Sequence, residues 1–139
     1  MNDDLTFLEE RLAGYTDYSD VDLRVQNEER ARAYAGERLA AARERLIKDF
    51  EDAVLVALDA AIWQCQFADM EYARFLQDVA LDEPAIAALL AIDRRLVEAA
   101  ERIDKVVAAE LRALLDEIAA AFKARRAAIG PRAAVPASG

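Results

Sequence analysis

The sequence lacks histidine and contains one cysteine and two serines, so the side chains that most often perform catalysis are missing or scarce. Histidine is the commonest general base and the commonest zinc ligand. Ser19 and Ser138 stand in a predicted linker and a predicted tail. Cys65 has Gln64 and Gln66 as sequence neighbours, which supply no cation to activate its thiol. These absences predict a protein that is not an enzyme and has no catalytic residues.

Motifs that bind metals and cofactors are also missing. The sequence has no EF-hand spacing, no glycine-rich phosphate loop and no zinc pattern. The Glu-x-x-His pairs of di-iron bundles cannot form without histidine. We therefore expect no metal and no cofactor, and we interpret Cys65 as a small buried apolar residue.

The scarcity of cysteine also bears on location. A single cysteine cannot form a disulfide within the chain, which makes a reducing cytoplasm the expected compartment. The first residues are acidic and lack the basic and apolar regions of a signal peptide. No apolar stretch approaches the roughly 18 residues that indicate a membrane span. The sequence therefore predicts a cytoplasmic protein without membrane contacts.

Basic residues are outnumbered by acidic ones, 18 to 27, which gives a net charge of −9. Nucleic acids and anionic membrane surfaces bind clustered lysine and arginine, so neither is an expected partner. Residues 1–30 carry nine acids and three bases, a charge that could steer a cationic protein. Residues 121–139 carry four bases and no acid, which suits the negative end of a last helix.

Alanine is abundant, with 32 copies in 139 residues against four glycines and three prolines. This composition favours helices and argues against a β-sandwich or barrel, so we predict an all-α protein. Leu5, Leu8, Leu12 and Tyr15 share one stripe of a short N-terminal helix that Gly14 ends. Residues 1–19 are predicted to be this helix and a linker.

Two long helices are predicted within residues 20–129, with a turn near residues 80–84. Ser19 and Asp22 resemble a capping box at the start of the first helix. Asp82 and Pro84 are suited to the start of the second helix. Gly130-Pro131 is a strong stop, so residues 130–139 are predicted to be a flexible tail.

The apolar residues of the second long helix recur in steps of three, four and four. This eleven-residue period corresponds to about 3.67 residues per turn and predicts nearly straight helices. The first long helix shows mostly the same steps, so the two stripes would pair along an antiparallel hairpin about 65 Å long. Gly36, or the Lys48-Asp49 region, is where the first long helix would bend. The stripe of the second helix consists of Leu89, Ile92, Leu96, Ala100, Ile103, Val107, Leu111, Leu114, Ile118 and Phe122.

Each long helix also carries a second apolar flank that a two-helix hairpin cannot bury. Either the N-terminal helix or a second copy of the chain covers it, and the N-terminal helix reaches only about a quarter of the hairpin. We therefore predict that dimerisation completes a four-helix bundle. The candidate interface residues are Val54, Leu58, Ile62, Trp63, Phe67, Met70, Leu90, Val97 and Leu115.

Aromatic residues outside the main stripe have two interpretations. Trp63, Phe67 and Met70 form a stripe of their own, which is either core on the dimer side or an exposed anchor for another protein. Tyr15 and Tyr18 are predicted to pack against a neighbouring helix, with modification or partner contacts as the alternative.

These features favour a non-enzymatic helical scaffold or adaptor that acts as a homo-oligomer through protein–protein interaction. The alternative is an acidic binding module that masks a basic partner, as an antitoxin, an immunity protein or a secretion chaperone does. The charge of −6 in residues 1–30 supports that alternative. The expected partners are a second copy of the chain and, under the alternative, a basic protein.

Overall fold

The computed structural model describes residues 2–49, 52–67 and 69–133, and this part of the chain forms helices and connecting turns without strands. The all-α prediction is confirmed. Short 3-10 turns at Val21–Leu23 and Ile47–Asp49 precede and follow the second helix. The helices are α1 (Asp3–Arg11), α2 (Arg24–Leu46), α3 (Asp52–Gln66), α4 (Met70–Asp78), α5 (Glu83–Ile103) and α6 (Ala108–Ala133).

Four of these helices form a bundle within the single chain. Helix α2 packs on α3, α3 on α6, α6 on α5, and α5 closes the ring against α2. Helix α1 lies on α5, and α4 contacts both α2 and α6. Their apolar faces meet in one core, whose fully buried side chains include Leu8, Leu39, Leu58, Leu76, Leu89, Leu96, Ile103, Leu111 and Ile118.

The two long helices predicted within residues 20–129 are each divided. The first is interrupted after Leu46 and again after Gln66, and the second is interrupted after Ile103. Because the pieces pack on each other, the chain supplies all four helices of the bundle and does not form a 65 Å hairpin. Helix α6 has 26 residues, which corresponds to about 39 Å. The turn predicted near residues 80–84 is present between α4 and α5, where Asp82 caps α5.

The division between α5 and α6 occurs inside the predicted apolar stripe. Backbone N–H groups of Asp104, Lys105 and Val106 bind carbonyls three residues back, which tightens the end of α5 into a turn. Val107 is 56% exposed, whereas its neighbour Val106 is buried. The other nine residues of the stripe are buried or partly buried, as predicted.

Gly36 lies inside α2 and does not mark a bend. A Cβ atom at this position would lie 3.0 Å from the Cβ of Cys65, so the glycine permits a close approach of α2 and α3. The chain instead leaves α2 at the Lys48-Asp49 region, within the turn Ile47–Asp49. Residues 50 and 51, which the prediction placed inside one helix, lie outside the described residues.

The N-terminal segment matches the prediction except at the start of α2. Asn2 caps α1, and Gly14 follows with a φ of 84°, which places it in the left-handed region that favours glycine. Helix α2 begins at Arg24 rather than near residue 20. The capping box does not form, because Ser19 binds the carboxylate of Asp17 and the preceding 3-10 turn takes its cap from Asp20.

The C-terminal stop predicted at Gly130-Pro131 is wrong, because α6 continues to Ala133. A proline in a helix removes one backbone donor and its ring crowds the carbonyl four residues earlier, and here only two helical residues follow it. Residues 130–133 therefore belong to α6, and residues 134–139, the rest of the predicted tail, lie outside the described residues.

Helix α2 supplies an arginine to the C-terminal end of each of α3, α4 and α5, and a fourth to the turn that follows α1. The last carbonyls of a helix have no partner within it, and they form the negative end of its dipole. Each guanidinium therefore satisfies an acceptor and neutralises a partial charge. The pairs of arginine and carbonyl are Arg30 and Ala13 (3.0 Å), Arg32 and Cys65 (2.8 Å), Arg24 and Val79 (2.7 Å), and Arg45 and Ile103 (2.8 Å).

Candidate functional site

A buried carboxylate lies at the centre of the polar interior. Asp93 on α5 is fully buried and accepts hydrogen bonds from the hydroxyls of Tyr15, at 2.7 Å, and Tyr18. Its second oxygen lies 2.9 Å from the Nη2 atom of Arg125 on α6. The two tyrosines pack edge to face with ring centroids 6.3 Å apart. Their predicted packing against a neighbouring helix is confirmed, and Asp93 is the group that holds them there.

The ionic cluster extends from Asp93 across the bundle. The Nη1 atom of Arg125 lies 3.0 Å from Glu28, and Glu28 accepts a second bond of 2.7 Å from Arg32. Arg32 also donates to the carbonyl of Cys65, so the cluster connects α5, α6, α2 and α3. Two guanidinium groups and two carboxylates balance each other, which buried charges require. The cluster thereby fixes the orientation of Arg125.

Burial controls the protonation of this interior. Desolvation raises the pKa of Tyr15 and of Tyr18 well above 10, and the charge of Asp93 raises both further. Burial alone would lower the pKa of Arg125, but the carboxylates of Asp93 and Glu28 outweigh that effect and raise it. At neutral pH the tyrosines are therefore hydrogen-bond donors and Arg125 is a cation.

The sequence analysis did not identify Asp93, Arg125, Glu28 or Arg32 as site residues. A signal exists, because Asp93 follows the buried Leu89 by four residues and so falls on the apolar face of α5. A charged residue at a core position requires a buried partner of opposite charge. The partner could not be chosen from sequence, since it lies 32 residues away on a helix of unknown position.

A cleft opens beside this cluster between α3, α4 and α6, and we call it the aromatic cleft. Its volume is about 710 Å³, within the range of about 300–1,000 Å³ typical of small-molecule sites. Apolar rings and charged side chains share the lining. The lining residues are Glu28, Arg32, Ala60, Trp63, Gln64, Phe67, Asp69, Tyr72, Ala119, Phe122, Lys123, Arg125 and Arg126.

The mouth of the aromatic cleft borders an exposed patch formed by Trp63, Phe67 and Met70, which we call the aromatic patch. Trp63 is 64% exposed, Phe67 52% and Met70 70%. The rings of Trp63 and Phe67 contact each other with centroids 4.8 Å apart. The structure thus places these three predicted interface residues at the surface of the chain.

Four other candidate interface residues occupy a different place from the one predicted. Leu58, Leu90, Val97 and Leu115 are buried in the core of the single chain. The second apolar flank is therefore covered by the chain's own helices, because both long helices fold back. Val54 and Ile62 are partly buried against the same core.

Cys65 is buried against α2, as predicted for a small apolar residue. Burial raises the pKa of its thiol to about 12. The thiolate is the reactive form of cysteine, so Cys65 carries its proton at neutral pH and is a poor nucleophile.

The acidic N-terminal region is partly neutralised within the fold. Glu28 belongs to the buried cluster, and Asp4 lies 3.2 Å from Arg94 on α5. Glu9 and Glu10 are exposed on α1, and Glu10 lies 3.8 Å from Arg11. Exposed acids such as Glu9 are available for the alternative function of masking a basic protein.

A larger groove of about 1,040 Å³ lies between α1, α5 and α6. Four of its charged side chains form ion pairs with each other: Arg11 lies 3.0 Å from Glu101, and Arg102 pairs with Glu117. Its lining is less suited to a ligand than that of the aromatic cleft. Across residues 2–49, 52–67 and 69–133, no three His, Cys, Asp or Glu side chains are grouped so that they could hold a metal ion.

No individual helix in the described part of the chain has the length and apolar character needed to cross a membrane. The pair α3 and α4 meets those criteria only when taken together, and it is bent by 42°. No protein-family model, curated protein or solved structure shows significant similarity to the chain.

Proposed function

We propose that the protein is a non-enzymatic helical adaptor that acts through protein–protein interaction, and that its first partner is a second copy of the chain. The aromatic patch is the proposed contact surface. Its exposure is the observation that carries the proposal, because apart from Val56, which is 69% exposed, the other large apolar side chains of α3 and α4 are buried or partly buried. Tryptophan and other aromatic residues supply a large share of binding energy at protein interfaces.

The patch is suited to a symmetric contact. Trp63 lies near the end of α3, Phe67 directly follows that helix, and Met70 is the first residue of α4, so the bundle holds the helices on either side of the patch. A two-fold axis through such a patch places each aromatic pair against its own copy, which is the commonest symmetry of homo-oligomers. Ring surface removed from water on both copies stabilises the contact by roughly 25 cal/mol per Å².

Sedimentation velocity over a wide range of protein concentration tests this proposal. We expect concentration-dependent dimerisation of the unmodified chain and loss of the dimer in the double variant Trp63→Ser and Phe67→Ser. The matched control is Val107→Ser, which removes an apolar side chain of comparable exposure (56%) at the turn between α5 and α6. A monomer at all concentrations, or equal dimerisation of both variants, would contradict the proposed self-association.

A further inference from the structure

The charge of the aromatic cleft is opposite to that of the whole chain. Four basic side chains line it, Arg32, Lys123, Arg125 and Arg126, against the two carboxylates of Glu28 and Asp69. The lining is therefore net positive in a chain whose net charge is −9. Asp93 does not line the cleft but pairs with Arg125, and the sum of the charges remains positive when the carboxylate of Asp93 is included. Such a cleft attracts anions and repels cations.

Two buried donors of the cleft lack hydrogen-bond partners among the described residues. They are the Nε atom of Arg125 and the hydroxyl of Tyr72, on side chains that are 3% and 6% exposed. The guanidinium carbon of Arg125 lies 6.0 Å from the centroid of the Tyr72 ring, so the two side chains are neighbours. A buried donor without a partner costs about 1–3 kcal/mol. An acceptor that reached both would remove that cost.

The protonation of these donors favours an acceptor. Burial raises the pKa of Tyr72 above its ordinary value, so its hydroxyl keeps its proton at neutral pH. Arg125 remains charged, its Nη atoms bind Asp93 and Glu28, and its Nε atom has no partner among the described residues. Both groups can donate to a carboxylate, and the positive charge of Arg125 opposes the approach of a cation.

The lining also has an apolar part, and two of its rings are exposed to solvent. Trp63 and Phe67 are more than half exposed at the mouth. Phe122 on α6 is partly buried, and the guanidinium carbon of Arg125 lies 5.1 Å from the centroid of its ring. An apolar chain that entered past the aromatic pair would carry its head group toward the two donors.

We propose that the aromatic cleft binds a small organic anion with an apolar body, of the class of medium-chain carboxylates. The carboxylate accepts hydrogen bonds from the hydroxyl of Tyr72 and the Nε atom of Arg125, with Lys123 adding attraction. The hydrocarbon chain lies against Trp63 and Phe67. This binding goes beyond the adaptor function, and it shares Trp63 and Phe67 with the surface proposed for self-association.

Fluorescence of Trp63 gives a direct readout, since it is the single tryptophan of the chain. Decanoate, titrated into the full chain below its micellar concentration, is expected to produce a saturable change in emission. Decanol and decyltrimethylammonium have chains of equal length without the negative charge, and we expect each to bind at least tenfold more weakly. Equal affinities for the three probes, or a change that does not saturate, would overturn the proposal.

Substitution of the donors provides a second test. Tyr72→Phe keeps the ring and removes the unpartnered hydroxyl, so decanoate should bind about tenfold more weakly while decanol is unaffected. Tyr34→Phe is the matched control, because the Tyr34 hydroxyl binds Glu101 on another face of the bundle. An unchanged decanoate affinity in Tyr72→Phe would overturn the assignment of the donor.

Lys123 is exposed, so its substitution can test the contribution of positive charge to carboxylate binding without disturbing the fold. Lys123→Gln should weaken decanoate and leave decanol unchanged, whereas Lys105→Gln, at the turn between α5 and α6, should change neither. Equal decanoate affinities in the two lysine variants would contradict the role of charge. Sedimentation velocity of the same variants distinguishes failure of this proposal from failure of the proposed self-association. If the unmodified chain dimerises but does not bind decanoate, only the proposed ligand site is rejected.

Discussion

The carboxylate of Asp93 and the guanidinium of Arg125 form a fully buried ion pair at 2.9 Å, between helices that are adjacent in the sequence and antiparallel in the bundle. Asp93 also holds the hydroxyls of Tyr15 and Tyr18, which anchor the segment that follows α1. One carboxylate thereby joins three parts of the chain.

Replacing Asp93 with alanine should lower the free energy of unfolding by about 3–5 kcal/mol, because Arg125 and two tyrosines would lose their common acceptor. Urea denaturation measures the loss. The control is Asp116→Ala, which removes an exposed ion pair with Arg112 and should cost less than about 1 kcal/mol. Similar losses in the two variants would contradict the importance of burial.

The apolar stripe of α6 makes a prediction of its own. Leu111 is fully buried, so Leu111→Ala should destabilise the protein by about 2–5 kcal/mol. Glu110 precedes it in the sequence and is exposed, and Glu110→Ala should change stability by no more than about 0.5 kcal/mol. Thermal melting of the two variants compares them directly, and equal shifts in melting temperature would refute the assignment of the stripe.

Stability should fall in alkaline solution. The folded state raises the pKa of Tyr15, Tyr18 and Tyr72 from 10, and that of Cys65 from 9 to about 12. Above the unfolded pKa the unfolded chain releases protons that the folded chain retains, so the free energy of unfolding decreases as pH rises. Above its unfolded pKa, each such group lowers the free energy of unfolding by about 1.4 kcal/mol per pH unit. Below that pKa it does not change the free energy of unfolding with pH.

Urea denaturation at intervals from about pH 8 to pH 11 measures this decline. Cys65→Ala should remove the part that begins near pH 9 and leave the part that begins near pH 10, where the unfolded tyrosines titrate. A free energy of unfolding that stayed constant to pH 11 would contradict the burial of these groups in the folded state.

The close approach of α2 and α3 at Gly36 can also be tested. A valine at this position adds a branched side chain where a Cβ alone would lie 3.0 Å from Cys65, so Gly36→Val should cost about 1–3 kcal/mol through overpacking. Glu37→Val introduces the same side chain at the next, exposed position of α2 and controls for helix propensity. Equal losses of stability in the two variants would mean that α2 and α3 can move apart at Gly36 without destabilising the protein.

Local sequence features predicted those elements that depend on local chemistry. The composition indicated an all-α protein, Gly14 marked the end of α1, and Asp82 with Pro84 marked the start of α5. The interruptions after Leu46 and Ile103 were missed because the apolar period continues across them. A period records which residues face the core, and it does not record whether the helix between them is continuous.

The second apolar flank correctly indicated that these helices are buried on more than one side, but either a second copy or the same chain could bury it. Leu58 and Val97 did require burial on another side of their helices, and a four-helix bundle does bury them. Sequence could not distinguish helices supplied by a second copy from helices made by folding the same chain, since both bury equal surface. The same limit applies to the aromatic cleft, where Trp63 and Arg125 meet only because α3 packs on α6.

The arginines that α2 extends to the ends of α3, α4 and α5 bear on how the protein folds. A glycine at a helix end acts through local backbone geometry and can stop an isolated helix, and in the described part of the chain only Gly14 has a positive φ. Arg24, Arg32 and Arg45 act across the bundle and satisfy their carbonyls only after tertiary structure has formed. Formation of α3, α4 and α5 is thus coupled to docking on α2, and the bundle should unfold in a single cooperative transition.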